Sequence, residues 1–200
     1  YTSNKVTLKD LQPGTTYYYQ VEGKETASFT TDDDTSDFSF IFVGDPQIGS
    51  SNEEKAKTPE DIQKPTFLTA QSEAVRNDTF NWNYTLNRAY AKTGNKANFI
   101  LSSGDQIQTN AKKVDDNTIS ETEYAGYLSP ELMKNVPVAT TVGNHDADNA
   151  NYTYHFNTAN MSSLGDNGYV GGDYYFTYGD ALFIILNTQD TNVLSLIHIS

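Results

Sequence analysis

The chain contains no cysteine. That excludes disulfides and thiolate metal ligands, so a metal held here must use oxygen and nitrogen donors. Cations are scarce: 13 Lys and Arg stand against 26 Asp and Glu, for a formal charge of −13. A surface this acidic repels phosphate backbones, which excludes nucleic-acid binding through a basic patch. An anionic small substrate would need local positive charge, and a metal ion is one source of it. No apolar run approaches the ~20 residues of a membrane span. Histidine is also scarce, at three residues. What is abundant is tyrosine, 14 residues, with 10 phenylalanines beside it, enough large rings for a core in a 200-residue chain.

Residues 1–31 read as β structure. Val6 and Leu8 alternate with polar residues, Tyr17, Tyr19 and Val21 repeat the pattern, and Ser28 to Thr30 closes a further strand. Pro13-Gly14 makes a turn between them, and a tyrosine just beyond such a turn can return its hydroxyl to the backbone. Residues 32–37, with three consecutive aspartates, lack the spacing of a calcium loop and read as a solvated linker. From residue 38 the pattern becomes α/β. The apolar run 38–43 suits a strand buried on both faces. Residues 66–93 read as a helix with Phe67, Ala70, Ala74, Phe80, Leu86, Ala89 and Tyr90 inward, stopped at Gly94. Strands follow at 98–101 and 137–142, with a helix at 121–135 broken near Pro130. Residues 146–172 read as a long loop, and 173–178 and 181–187 as a hairpin about Gly179-Asp180.

Each of the first three strands of this part runs into a glycine followed by a ligand-type residue. They are Gly44-Asp45-Pro46-Gln47, Gly104-Asp105-Gln106 and Gly143-Asn144-His145-Asp146. Ligands of open α/β sheets gather at the carboxyl ends of the strands, so Asp45, Asp105 and Asn144 are expected on one rim. Two carboxylates and an amide oxygen are hard donors for divalent or trivalent ions. A lone Gly-Asp after a strand is an ordinary turn, as Gly179-Asp180 illustrates. Three in order, each behind its own strand, carry more weight.

This order of motifs resembles the calcineurin-like metallophosphoesterases, and is most similar to bacterial proteins of the purple-acid-phosphatase type. Those place a fibronectin type III-like module before the catalytic domain. The resemblance implies residues 1–31 as the last strands of that module, 32–37 as linker, and 38–193 as the first part of a β-sandwich flanked by helices. The chain is thus expected to be cut at both ends and inactive as it stands. It implies two ions (Fe, Zn, Mn or similar), with Asp105 bridging, Asp45 on the first and Asn144 on the second. His145 would sit beside the phosphate of a small phosphorylated substrate, and Asp146 would orient its ring. Gln47 stands where many members carry a histidine, and Gln108 where the purple enzymes carry a tyrosine. Either amide could touch the first ion, and without the phenolate the purple colour is not expected. The later histidines of the family pattern are not matched. His155, in an aromatic segment, reads as packing or a local hydrogen bond. The tail 194–200 back-translates onto a transposase sequencing adaptor, which would remove His198 from consideration. The competing reading is a catalytically degenerate surface or binding protein with the same fold. An extracellular or cell-surface location fits both, and the four Asn-x-Ser/Thr sites at Asn77, Asn83, Asn151 and Asn160 are taken as accidental.

Overall fold

The computed structural model describes residues 3–54, 56, 58–109, 118–161 and 170–189. The tail 194–200, with His198, lies outside the described residues. Strands β1 (Thr16–Tyr19) and β2 (Ala27–Thr30) form an antiparallel pair. Gly14 at φ +60° makes the turn that admits it. The Tyr17 hydroxyl accepts the Gln12 N–H at 2.8 Å, and its ring stacks on Phe29 at 5.6 Å, which is the backbone return expected of this tyrosine. The strand expected about Val6 and Leu8 does not form. Val6 is 80% exposed, and among the described residues no strand pairs with this segment; Ser3 Oγ donates to Tyr154 O and Lys5 Nζ to Phe156 O.

Strands β3 (Phe40–Val43), β4 (Phe99–Ser102) and β5 (Val138–Thr140) form a parallel sheet in the order β3-β4-β5. Each pair is spanned by helical sequence: α1 (Pro65–Lys92), then α2 (Thr118–Leu128) and the single turn α3 (Leu132–Asn135). Pro65 begins α1, where its missing N–H costs nothing. Gly94 and Asn95, both at positive φ, end it. The helix bounds match the sequence expectation closely, but the inward face differs in one residue. Phe80 points outward, 70% exposed, and Trp82 takes the core position between Ala74 and Leu86. Two residues further along a helix is a turn of about 200°, so the two rings cannot share a face. The Trp82 indole N–H donates to the Tyr127 carbonyl at 3.1 Å, and the two rings stack at 5.4 Å, fixing α1 to α2.

Side chains of the sheet alternate between two layers. Ile41 and Ile100 enter the main core with Trp82, Leu86, Tyr124 and Tyr127. Phe40 and Phe99, paired in register and stacked at 5.1 Å, face the other way. There they meet Phe176 and Phe183 of the antiparallel hairpin β6 (Tyr174–Tyr178) and β7 (Ala181–Ile185). The expectation that β3 is buried on both faces is corrected: Phe42 is 65% exposed, because β3 is an edge strand of this three-stranded sheet. The architecture is mixed α/β with a parallel sheet. The expected long loop at 146–172 is also interrupted, by a helical turn α4 (Tyr152–His155) whose Tyr152 is buried. Asn151 is fully buried beside Ser120 and Glu121, which closes it to a glycan in the folded chain.

Candidate metal-binding rim at the strand ends

The three Gly-Asp and Gly-Asn motifs meet at the carboxyl edge of the parallel sheet, held together by their backbones. Asp45 N–H donates to Gly104 O at 3.0 Å, and Gln47 N–H to Asp105 O at 3.0 Å. The ladder then resumes, with Ile48 N–H on Gln106 O at 3.1 Å and Ile48 bridging Ile107. Gly104, at φ +100°, lies so near Gly143 that a Cβ there would stand 2.7 Å from the Gly143 nitrogen. A Cβ on Gly143 would in turn collide with the Asp105 carboxylate. Both glycines are therefore required by close approach, and together they bring the second and third motifs into contact.

Asp45, Gln47 and Asp105 have φ of +59°, +37° and +49°. Non-glycine residues in the left-handed region cost of order 1–3 kcal/mol each and persist where surrounding structure imposes them. Three such residues lie on one rim. Asp45 and Asn144 are exposed, and Asp105 is half-buried. Asp45 also borders an open cleft of ≈ 490 Å³ shared with Asp78, Asn81 and Thr85 of α1.

Hydrogen bonds divide these residues into those presented and those consumed. The Asp105 carboxylate accepts His145 N–H on Oδ1 at 2.9 Å and the Gln47 amide N–H on Oδ2 at 3.4 Å. Gln47 thus turns its nitrogen toward Asp105. The His145 ring bonds through Nδ1 to the Gln108 carbonyl. A carbonyl can only accept, so Nδ1 carries the proton and Nε2 is the ring atom left to exchange one. Gln108 thereby reaches the site through its backbone.

The expected bond from Asp146 to the His145 ring is corrected. Asp146 is fully buried, and its carboxylate accepts the Gly143 N–H at 3.0 Å, the Gln106 N–H at 3.2 Å and the Tyr124 hydroxyl at 3.2 Å. It pins the β4 and β5 loops to each other from beneath the rim. Burial pushes its pKa up to about 7, against the pull of these donors. His155 also lies away from the rim, bonded to the Glu121 carboxylate at 3.1 Å and set 5.3 Å from the Tyr124 ring. Sequence reading missed Glu123, Thr109 and Asn149, which surround the His145 segment. Their only signal was polarity at positions that a helix or loop would otherwise leave to solvent.

The donor set tests whether a metal fits. Two carboxylates and the Asn144 amide are hard donors suited to divalent ions. Among the described residues, no three His, Cys, Asp or Glu side chains gather, so the fit is to part of a coordination sphere. A sequence model of the calcineurin-like phosphoesterase family matches residues 38–197. No curated protein matches the chain. The family model covers well over half of the 200 residues, and the chain belongs to the calcineurin-like phosphoesterases.

Proposed function

We propose that this calcineurin-like phosphoesterase hydrolyses small phosphorylated substrates at a two-metal site, of which the rim described above supplies the Asp-Asp-Asn side. Family membership supports metal-dependent phosphoester hydrolysis. The observation that carries the finer reading is the left-handed backbone at Asp45, Gln47 and Asp105, imposed where three strand ends converge. In this reading Asp45 would help hold the first ion, Asn144 the second, and Asp105 both. Bound there, such ions would supply an acidified water and neutralise charge on the phosphoryl oxygens. The chain's own part is orientation. Asp105 is fixed from two sides, by His145 N–H and by the Gln47 amide. His145, with Nδ1 committed to a carbonyl, offers Nε2 to a phosphoryl or leaving-group oxygen. The likeness to the purple-acid-phosphatase type, the leading fibronectin-like strands and an extracellular setting belong to the same proposal. The Tyr17 hydroxyl returning to the Gln12 backbone supports the second of these.

A degenerate, binding-only protein is the second reading. It is favoured by the Gln47 N–H spent on Asp105 and by the lack of a three-residue His, Cys, Asp or Glu cluster among the described residues. Calorimetric titration with Mn²⁺ and Zn²⁺, followed by hydrolysis assays on p-nitrophenyl phosphate and its diester, separates them. Stoichiometric metal uptake and turnover, both lost in Asp105→Asn, support hydrolysis. Uptake without turnover, or no uptake, defeats hydrolysis and leaves the degenerate reading.

A further inference from the structure

Glu123 lies on α2, outside every motif, and is fully buried. Its Oε2 accepts the Thr109 backbone N–H at 2.8 Å, and its Oε1 accepts the Thr109 hydroxyl and the Gln71 amide N–H, each at 2.6 Å. Gln71 is held in turn by Asn52, whose Nδ2 donates to Gln71 Oε1 at 2.7 Å. Gly49 leaves the room for this cluster: a Cβ there would come within 2.5 Å of both Gln71 Nε2 and Glu123 Oε1. A buried carboxylate with three donors, drawn from α1 and the loop after β4, is an expensive object to place in a core without a use.

The use lies one peptide away. The Thr109 N–H belongs to the same planar unit as the Gln108 carbonyl, and in a trans peptide the two point in opposite directions. Glu123 holds the N–H end of that plane, while the His145 Nδ1–H bonds the carbonyl end. A negative acceptor on the N–H also polarises the carbonyl and strengthens it as an acceptor. Asn149 closes the arrangement, its Nδ2 donating to both the Thr109 and the His145 carbonyls.

We propose that Glu123 is a positioning residue for His145, fixing its ring orientation and its Nδ1–H tautomer through the Gln108–Thr109 peptide. Its relevance to turnover rests on the hydrolase reading given above; the geometric effect on His145 does not. The test is therefore made on the metal-free full chain. The chain has three histidines, so ¹⁵N-histidine labelling and ring ¹H–¹⁵N correlations at alkaline pH resolve each tautomer, assigned with His145→Gln and His155→Gln. The wild-type chain is expected to show His145 as the Nδ1–H form. Glu123→Ala should shift it to a mixture or to the Nε2–H form, while His155 keeps its signal. Glu123→Gln, which retains one acceptor oxygen, should shift it part of the way, and it decides the matter should the alanine variant fail to fold. Leu86→Ala, a core truncation with no bond to this segment, should leave His145 unchanged.

An Nε2–H form in the wild-type chain would overturn the proposal. So would an unchanged His145 signal in every folded Glu123 variant, or an equal shift in Leu86→Ala. None of these results depends on metal or substrate, so failure of the hydrolase reading is recognised separately, by absent metal uptake and turnover in the wild type. Where turnover is present, Glu123→Ala should lower kcat by about 10- to 100-fold, the usual effect of removing a partner behind a site residue.

Discussion

Replacing Asp146 by asparagine should make the metal-free chain more stable above neutral pH, although it weakens a hydrogen-bonded group. In the folded chain burial raises this carboxyl from 3.8 to about 7. A raised folded pKa means that the folded state binds the proton more tightly than the unfolded state does. The contribution to stability is therefore fully present below pH 3.8 and is lost as pH rises through 7. The shift spans roughly three units, and at about 1.4 kcal/mol each the loss is on the order of 4 kcal/mol. Asparagine has no such loss. It keeps an acceptor for Gln106 N–H and the Tyr124 hydroxyl, but its amide N–H opposes Gly143 N–H. A protonated aspartate makes the same conflict, so the two chains should be of similar stability near pH 4. By pH 8 the variant should lead by a few kcal/mol. With urea m-values of about 1–3 kcal/mol/M, that is a midpoint higher by about 1–3 M. Urea titrations at the two pH values, with chelator present, read the difference. Equal stability at pH 8, or a variant weaker by the same amount at both, would show the ionised carboxylate to be a net stabiliser and refute the argument from desolvation.

Glu123 gives the same sign by the same cause, its carboxyl raised to about 8 by burial; stability of the metal-free chain should fall between pH 4.5 and 8, and Glu123→Gln should flatten that fall in thermal melts. Gly104→Ala should destabilise by about 1–3 kcal/mol or more, because the new Cβ meets Gly143 backbone at a φ that alanine resists; a wild-type melting temperature would contradict the close approach. Asp45→Gly should stabilise the metal-free chain by about 0.5–1 kcal/mol, relieving a left-handed aspartate, while abolishing metal uptake in the same calorimetric titration. Gly126→Ala should cost about 1–3 kcal/mol by overpacking, since its Cβ would stand 2.5 Å from Thr79 Oγ1 and 3.0 Å from Ile48, with no change in the His145 ring signals.

What could be read in the sequence was whatever local chemistry decides. Helix α1 carries its own punctuation in Pro65 and Gly94, and its bounds were legible to within a residue. The three parallel strands were legible as apolar runs, and the motif after each fixed the rim to which Asp45, Asp105 and Asn144 belong. Phe80 was misjudged because it and Trp82 are both large and apolar, and only the rotation of α1 against α2 selects between them. The strand expected at Val6 and Leu8 failed because alternation describes a strand able to pair, and no partner is present among the described residues. The role of Asp146 was beyond sequence for a related reason. Its neighbour His145 was the obvious partner along the chain, whereas Gly143, Gln106 and Tyr124 become partners only when two loops and a helix converge.

The rim and its support obey different physics, and that difference bears on what the site is for. Asp146 and Glu123 are buried carboxylates whose bonds hold the loops beneath the rim, and that support accounts for their place in the structure. Asp45 and Gln47 admit no such account. Their backbones sit where glycine would be less strained, and Asp45 is exposed, so burial returns nothing for that strain. A chain selected for stability alone would place glycine there, as it does at Gly49 and Gly104. The side chains are kept despite the backbone, and oxygen donors kept at a strained rim are what a hard cation would use. The same strain separates the two readings of the chain. A binding-only descendant would gain stability by relaxing Asp45 to glycine, whereas a site still loaded with metal would lose a ligand by the same change.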